Sequence, residues 1–199
     1  MAKMDVAKKK CFTPEFRVSF PKVFRPEGMN GQEPKYSITM LFKKSTDLKE
    51  LKRAVNNAII ETYGSLDKVP KKFTTPFRDG SEKEDVEGYE NTIFVTASSK
   101  KKPGVVDYPD ANPITEESEE FYPGCYARAT LIAFTYDVNG KKGVSFALQN
   151  VQKLRDGKPL SGKRSAEDEF KDAPEVEESE ERGNDYDSDD GDSMTAGGW

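Results

Sequence analysis

Between Cys125 and Leu154 the chain carries two long runs, the first rich in β-branched and aromatic residues, joined at Asn139–Gly140. Asn-Gly is a preferred centre for a two-residue hairpin turn, because both positions accept positive φ. The runs Cys125–Asp137 and Gly143–Leu154 therefore read as paired strands. Side chains alternate along a strand, so the first run has two faces. Cys125, Ala127, Ala129, Leu131 and Ala133 make one, small and apolar; Tyr126, Arg128, Thr130, Ile132, Phe134 and Tyr136 make the other. A pairing of this length directs the chain toward a mainly β fold.

Three further strands have their own signals. Phe12–Phe20 alternates strictly, with Phe12, Pro14, Phe16, Val18 and Phe20 on one side. Lys35–Lys43 places Tyr36, Ile38, Met40 and Phe42 together, and Asn91–Ser99 contains Ile93, Phe94 and Val95. One helix interrupts them. Asp47 is its expected N-cap and Glu50 the capping-box partner. Leu48, Leu51, Val55, Ala58, Ile59 and Tyr63 follow at helical spacing, and Gly64 ends the run. Five strands, one inserted amphipathic helix and long loops predict an OB-fold-like five-stranded Greek-key barrel, with an open β-sandwich as the runner-up.

The charge is divided along the chain. Residues 1–10 form a basic arm containing Lys3, Lys8, Lys9 and Lys10, expected to be flexible. Residues 11–170 are the folded domain, with a helical turn expected over Ser161–Phe170. From 171 to 199 there are eleven Asp or Glu against two Lys or Arg, and little apolar content. Such a segment cannot repay the entropy of ordering, so it is expected to be a disordered acidic tail, ending on Trp199. The preceding 170 residues carry twenty-nine Lys or Arg against twenty-five Asp or Glu. A mildly basic body is thus tethered to its own polyanion.

Several function classes lose support. The chain has no histidine and two cysteines, which removes the commonest general base and any Cys-rich zinc cluster. It has no phosphate-binding glycine loop or nucleophile elbow. No cofactor, no metal and no catalytic residue is expected. No stretch approaches the ~20 apolar residues needed to span a bilayer, and no signal peptide is visible. Cys11 and Cys125 read as reduced and partly buried, and the expected location is the cytoplasm.

A face carrying Tyr126, Arg128, Phe134 and Tyr136 suits a stacking platform, since rings stack on bases and a guanidinium pairs with phosphate. The same aromatics could equally be core. Lysine runs at Lys100, Lys101 and Lys102, and at Lys141 and Lys142, flank predicted strands and suit a phosphate backbone, as do Arg17 and Lys43. In the tail, Asp187, Asp189, Asp190, Asp192 and Trp199 are the candidate partner-binding residues, against the plainer reading of a solubilising tail.

The segments Arg17–Pro21, Phe77–Gly80, Phe121–Thr130 and Lys142–Gln152, with Ser165–Phe170, resemble those of a family of phage-encoded single-stranded-DNA-binding proteins. The resemblance runs over nearly all of residues 10–170. It implies an OB-fold that binds single strands without sequence preference in phage replication, in the host bacterial cytoplasm. The expected partners are single-stranded DNA and, through the tail, phage or host replication proteins; a homo-oligomer is compatible with the sequence. Two other functions stand beside it. One is a tail-mediated interaction factor that does not touch nucleic acid. The other is a magnesium nuclease using carboxylates such as Asp107, Asp110 and Glu116.

Overall fold

The computed structural model describes residues 6–160, apart from positions 29, 30 and 32. The expected helical turn at 161–170 and the tail lie outside the described residues, as do residues 1–5 of the arm. In chain order the elements are α1 (Val6–Lys9), β1 (Lys10–Phe12), β2 (Phe16–Glu27), β3 (Lys35–Lys43), α2 (Lys49–Tyr63), β4 (Phe73–Thr74), β5 (Arg78–Asp79), β6 (Thr92–Ser99), β7 (Gly104–Val106), β8 (Tyr126–Val138) and β9 (Lys141–Arg155).

Five of these strands close on themselves. β2 pairs β3, β3 pairs β6, and β8 pairs both β2 and β9, all antiparallel; β6 and β9 complete the ring in parallel. This is the five-stranded Greek-key barrel the pattern predicted, with α2 inserted between β3 and β6. The short strands β1, β4, β5 and β7 add to its edges. β8 and β9 run antiparallel along nearly their whole length, with Asn139 and Gly140 both at positive φ in the turn.

The interior follows the alternation. Ala127, Ala129, Leu131 and Ala133 of β8 are buried with Phe16, Val18, Ile38, Met40, Phe42 and Phe146. Leu48, Leu51, Ala54, Val55, Ala58 and Ile59 of α2 join the same core. Both thiols are buried there, and desolvation pushes Cys11 up to about 11. Gly64 ends α2 in the left-handed conformation, its N–H donating to the Ile60 carbonyl at 2.8 Å.

Two local expectations are corrected. The helix cap at Leu48 carries no side-chain bond; Asp47 instead accepts from the Lys49 N–H at 2.9 Å, and Glu50 pairs with Arg53 rather than reaching back. The continuous strand Phe12–Phe20 is also broken. Pro14 offers no N–H, so β1 and β2 are separate strands, with Thr13 N–H donating to the Ala129 carbonyl at 2.9 Å. At the far end the β2–β3 register shifts between Ser19 and Lys22, and Phe20 has φ 43°. Phe16 and Val18 point inward, but the next inward residue is Val23, so the parity has switched by one. Phe20 is consequently turned out, 51% exposed, and Phe12 is 63% exposed.

The part of the expected arm that is described is docked. Lys9 is buried and pairs with Glu61 at 2.6 Å, while Asn57 Nδ2 donates to the Lys8 carbonyl at 2.8 Å. Among the described residues no helix is long and apolar enough to cross a membrane.

Candidate nucleic-acid interface

Closure of the barrel brings the start of β2 beside the start of β8 and the end of β3. Arg17 lies across from Leu41 on one side and Tyr126 on the other. A cleft of about 810 Å³ opens there, and Arg17, Lys43, Lys44 and Tyr126 line it. Three of the sequence-predicted residues thus meet in one place, from three strands far apart in the chain.

The cleft has an internal charge order. Arg155 places its guanidinium carbon 3.5 Å from the centre of the Tyr126 ring, and Glu15 fixes it through bonds of 2.6 and 3.2 Å. Lys44 pairs with Asp79 at 2.9 Å. That bond from Lys44, followed by the Ser81 backbone N–H, holds the Asp79 carboxyl down at about 2. Among the described residues, Arg17 and Lys43 have no carboxylate partner. Arg17 Nη2 donates instead to the Lys158 carbonyl at 2.7 Å, and its Nε is buried without a partner among the described residues. Two cations unmatched by carboxylates beside a half-buried ring are what a phosphodiester with a stacked base requires.

The other predicted residues are distributed elsewhere. Tyr136, Lys141 and Lys142 line a groove of about 670 Å³ at the hairpin tip, together with Lys71 and Lys72. Gly143 is required there: a Cβ would sit 2.6 Å from both the Tyr136 hydroxyl and the Thr74 carbonyl. Tyr126 and Tyr136 are ten residues apart on one face of β8, roughly 30 Å at the usual rise. The hairpin face is therefore not one compact platform. Arg128 is engaged by its neighbours, its Nε donating to Gln152 Oε1 at 2.8 Å and its guanidinium lying 5.8 Å from the Tyr108 ring centre. Phe134 is 38% exposed on the outer side of β8 and lines none of these clefts. Lys100, Lys101 and Lys102 are exposed in and beside the β6–β7 turn, and Lys100 pairs with Glu33 at 2.5 Å.

Two of the three candidate nuclease carboxylates serve local structure. Asp107 accepts from the Asn112 backbone and side chain at 2.6 and 3.1 Å, and Glu116 accepts from Arg25 at 2.8 Å. Among the described residues, no group of three or more His, Cys, Asp or Glu side chains could hold a metal ion. Sequence reasoning passed over Phe20, Tyr108 and Lys83. Lys71 and Lys72 are adjacent in the sequence, but nothing local ties them to the hairpin tip.

Comparison with known proteins sets these features in a family. A family model described as the ssDNA-binding protein of Enterobacter phage Enc34 matches residues 9–182. Protein p50 of Acyrthosiphon pisum secondary endosymbiont phage 1 is 38% identical over 177 residues, covering 82% of this chain and 94% of its own. The single-stranded DNA-binding protein of bacteriophage Enc34, solved in complex with ssDNA, is similar with a TM-score of 0.67 and 24% identity. That similarity covers 77% of this chain and 90% of the other. The single-stranded DNA binding protein gp2.5 of bacteriophage T7 shares the fold at a TM-score of 0.52 and 13% identity, over 80% of this chain and 98% of its own. The chain belongs to the family of phage proteins represented by the ssDNA-binding protein of Enterobacter phage Enc34.

Proposed function

We propose that this protein binds single-stranded DNA without sequence preference, coating and protecting it during phage replication and recombination in the host cytoplasm. It is a binding protein and not an enzyme. The observation that carries the proposal is the cleft in which Tyr126, backed by Arg155, adjoins Arg17 and Lys43. A base stacks on the ring while the two cations take the neighbouring phosphates. Stacking is tolerant of base identity, so no sequence is read. Lys141 and Lys142 at the hairpin tip, and Lys100, Lys101 and Lys102 on their turn, extend the electrostatic path. Arg128, Phe134 and Tyr136 are flanking contacts along β8.

The acidic tail competes for the same cleft and recruits replication proteins through Asp187, Asp189, Asp190, Asp192 and Trp199. Two features support this. The tail is strongly acidic where the rest of the chain is mildly basic. The segment leading toward it already lies against the cleft, since the Lys158 carbonyl accepts from Arg17.

Electrophoretic shifts with single-stranded DNA, duplex DNA and RNA, for the full chain and for a chain lacking 171–199, test the function. Preferential retardation of single strands, strengthened by the deletion, is expected. Absence of any shift at low salt would leave the interaction-factor reading standing instead.

A further inference from the structure

A second ring on the outer surface repeats the arrangement found at Tyr126. The Lys83 ammonium lies 5.4 Å from the ring centre of Phe20, 5.1 Å from Tyr89 and 5.3 Å from Phe94. Tyr89 and Phe94 are buried against each other edge to face, at 5.2 Å. Among the described residues Lys83 has no carboxylate partner; the rings hold it.

Phe20 differs from the other two rings. It is half exposed, and its backbone sits at φ 43°, a conformation that a bulky side chain rarely adopts. A bulge that turns a phenylalanine out of the core at a strained φ points to use of the ring outside the core. The ring also lines a groove of about 490 Å³, whose walls include Pro21, Phe24, Phe121 and Tyr122. Of the three carboxylates there, Glu27 pairs with Lys22 at 2.6 Å and Glu116 with Arg25 at 2.8 Å; Glu119 alone has no cation among the described residues.

Arg17 and Phe20 are three residues apart on β2, at most about 11 Å along the chain; Arg17 lines the cleft and Phe20 the groove. One strand of nucleic acid lying in the Tyr126 cleft would reach this groove. We propose that Phe20 is a second base-stacking platform: a nucleobase of bound single-stranded DNA enters the groove and stacks on Phe20, which Lys83 backs as Arg155 backs Tyr126. Lys22 and Arg25, held at the rim by carboxylates, exchange those partners for the flanking phosphates. This rests on the single-strand-binding function proposed above and extends it to a subsite outside the cleft.

The test uses the full chain with Phe20→Gly, Phe20→Leu and Tyr126→Ala, titrated with fluorescent oligo-dT. Glycine suits the left-handed backbone, so Phe20→Gly should melt no lower than the parent. Phe20→Leu keeps apolar bulk without a π face. Both Phe20 variants are expected to lose affinity by roughly tenfold, on the scale of one stacked base. Photocrosslinking of an iodouracil-substituted strand should mark the peptide containing Phe20. Undiminished binding by Phe20→Gly alongside weakened binding by Tyr126→Ala would overturn the second platform and leave the cleft in place. Full affinity in Phe20→Leu with a loss only in Phe20→Gly would also overturn it, since bulk and not the ring would then matter. If the parent chain itself fails to bind, the proposed function falls, and this subsite with it.

Discussion

The Arg155 guanidinium lies over the Tyr126 ring, its central carbon 3.5 Å from the ring centre, and Glu15 holds it there from β2's approach. The cation covers one face of the ring, and the ring lines the cleft shared with Arg17 and Lys43. A ring fixed before ligand arrives loses little freedom on binding, which favours affinity.

Replacement of Tyr126 by Ala should therefore weaken oligo-dT binding by about 1–3 kcal/mol, whereas Tyr126→Phe keeps the π face and should bind nearly as the parent. Glu15→Gln, which loosens Arg155, should fall between them. Fluorescence anisotropy at constant salt measures all three.

Lys43 and Lys44 should separate by salt dependence. Among the described residues Lys43 has no carboxylate partner, so Lys43→Ala should lower the slope of log K against log salt by about 0.7. Lys44 is held by Asp79 at 2.9 Å. Asp79→Asn frees it for phosphate and should raise affinity at low salt, with a steeper salt slope.

The pH response should be flat around neutrality. There is no histidine, and the resolved shifts move groups away from pH 7. Asp79 is held at about 2, chiefly by Lys44, and Asp156 is lowered chiefly by Lys153. A depressed carboxylate contributes stability that is complete above its unfolded pKa and is lost as pH falls through its folded value. Stability contributed by these groups should hold between about pH 6 and 8 and decline only below the ordinary carboxylate range. Urea melts across that range are the check, and a stability step near pH 6.5 would contradict it.

Phe146 tests the barrel core. It is fully buried on β9 and packs edge-on to Phe77 at 6.3 Å between ring centres. Phe146→Ala should destabilise the fold by about 3–5 kcal/mol, read from the urea midpoint at unchanged m-value.

The hairpin was legible because its alternation is uninterrupted from Cys125 to Ala133 and its turn residues are unambiguous; those five inward residues are all buried. Phe20 was not: Pro21 signals a break after it, but not that the irregularity between Ser19 and Lys22 reverses parity and turns the ring outward. Asp47 did mark the start of α2, but its bond stops at Lys49, leaving Leu48 as the cap. Within the candidate site, Arg17, Lys43 and Tyr126 were each visible as residue types. Their meeting depends on β2 pairing with both β3 and β8, a non-local closure that no run of neighbouring residues encodes. The extended length of β8 alone separates Tyr126 from Tyr136, and the β8–β9 register sets Arg128 opposite Gln152.

The central claim is that a single strand lies in the Tyr126 cleft. Photocrosslinking of iodouracil-substituted oligo-dT to the full chain, with the adducts mapped by peptide mass spectrometry, tests it most directly. An adduct on the peptide containing Tyr126, lost in competition with unlabelled single strands but not with duplex, is the predicted result. Adducts confined to the hairpin tip around Tyr136 and Lys141, with none at Tyr126 in a chain that binds the oligomer, would contradict it.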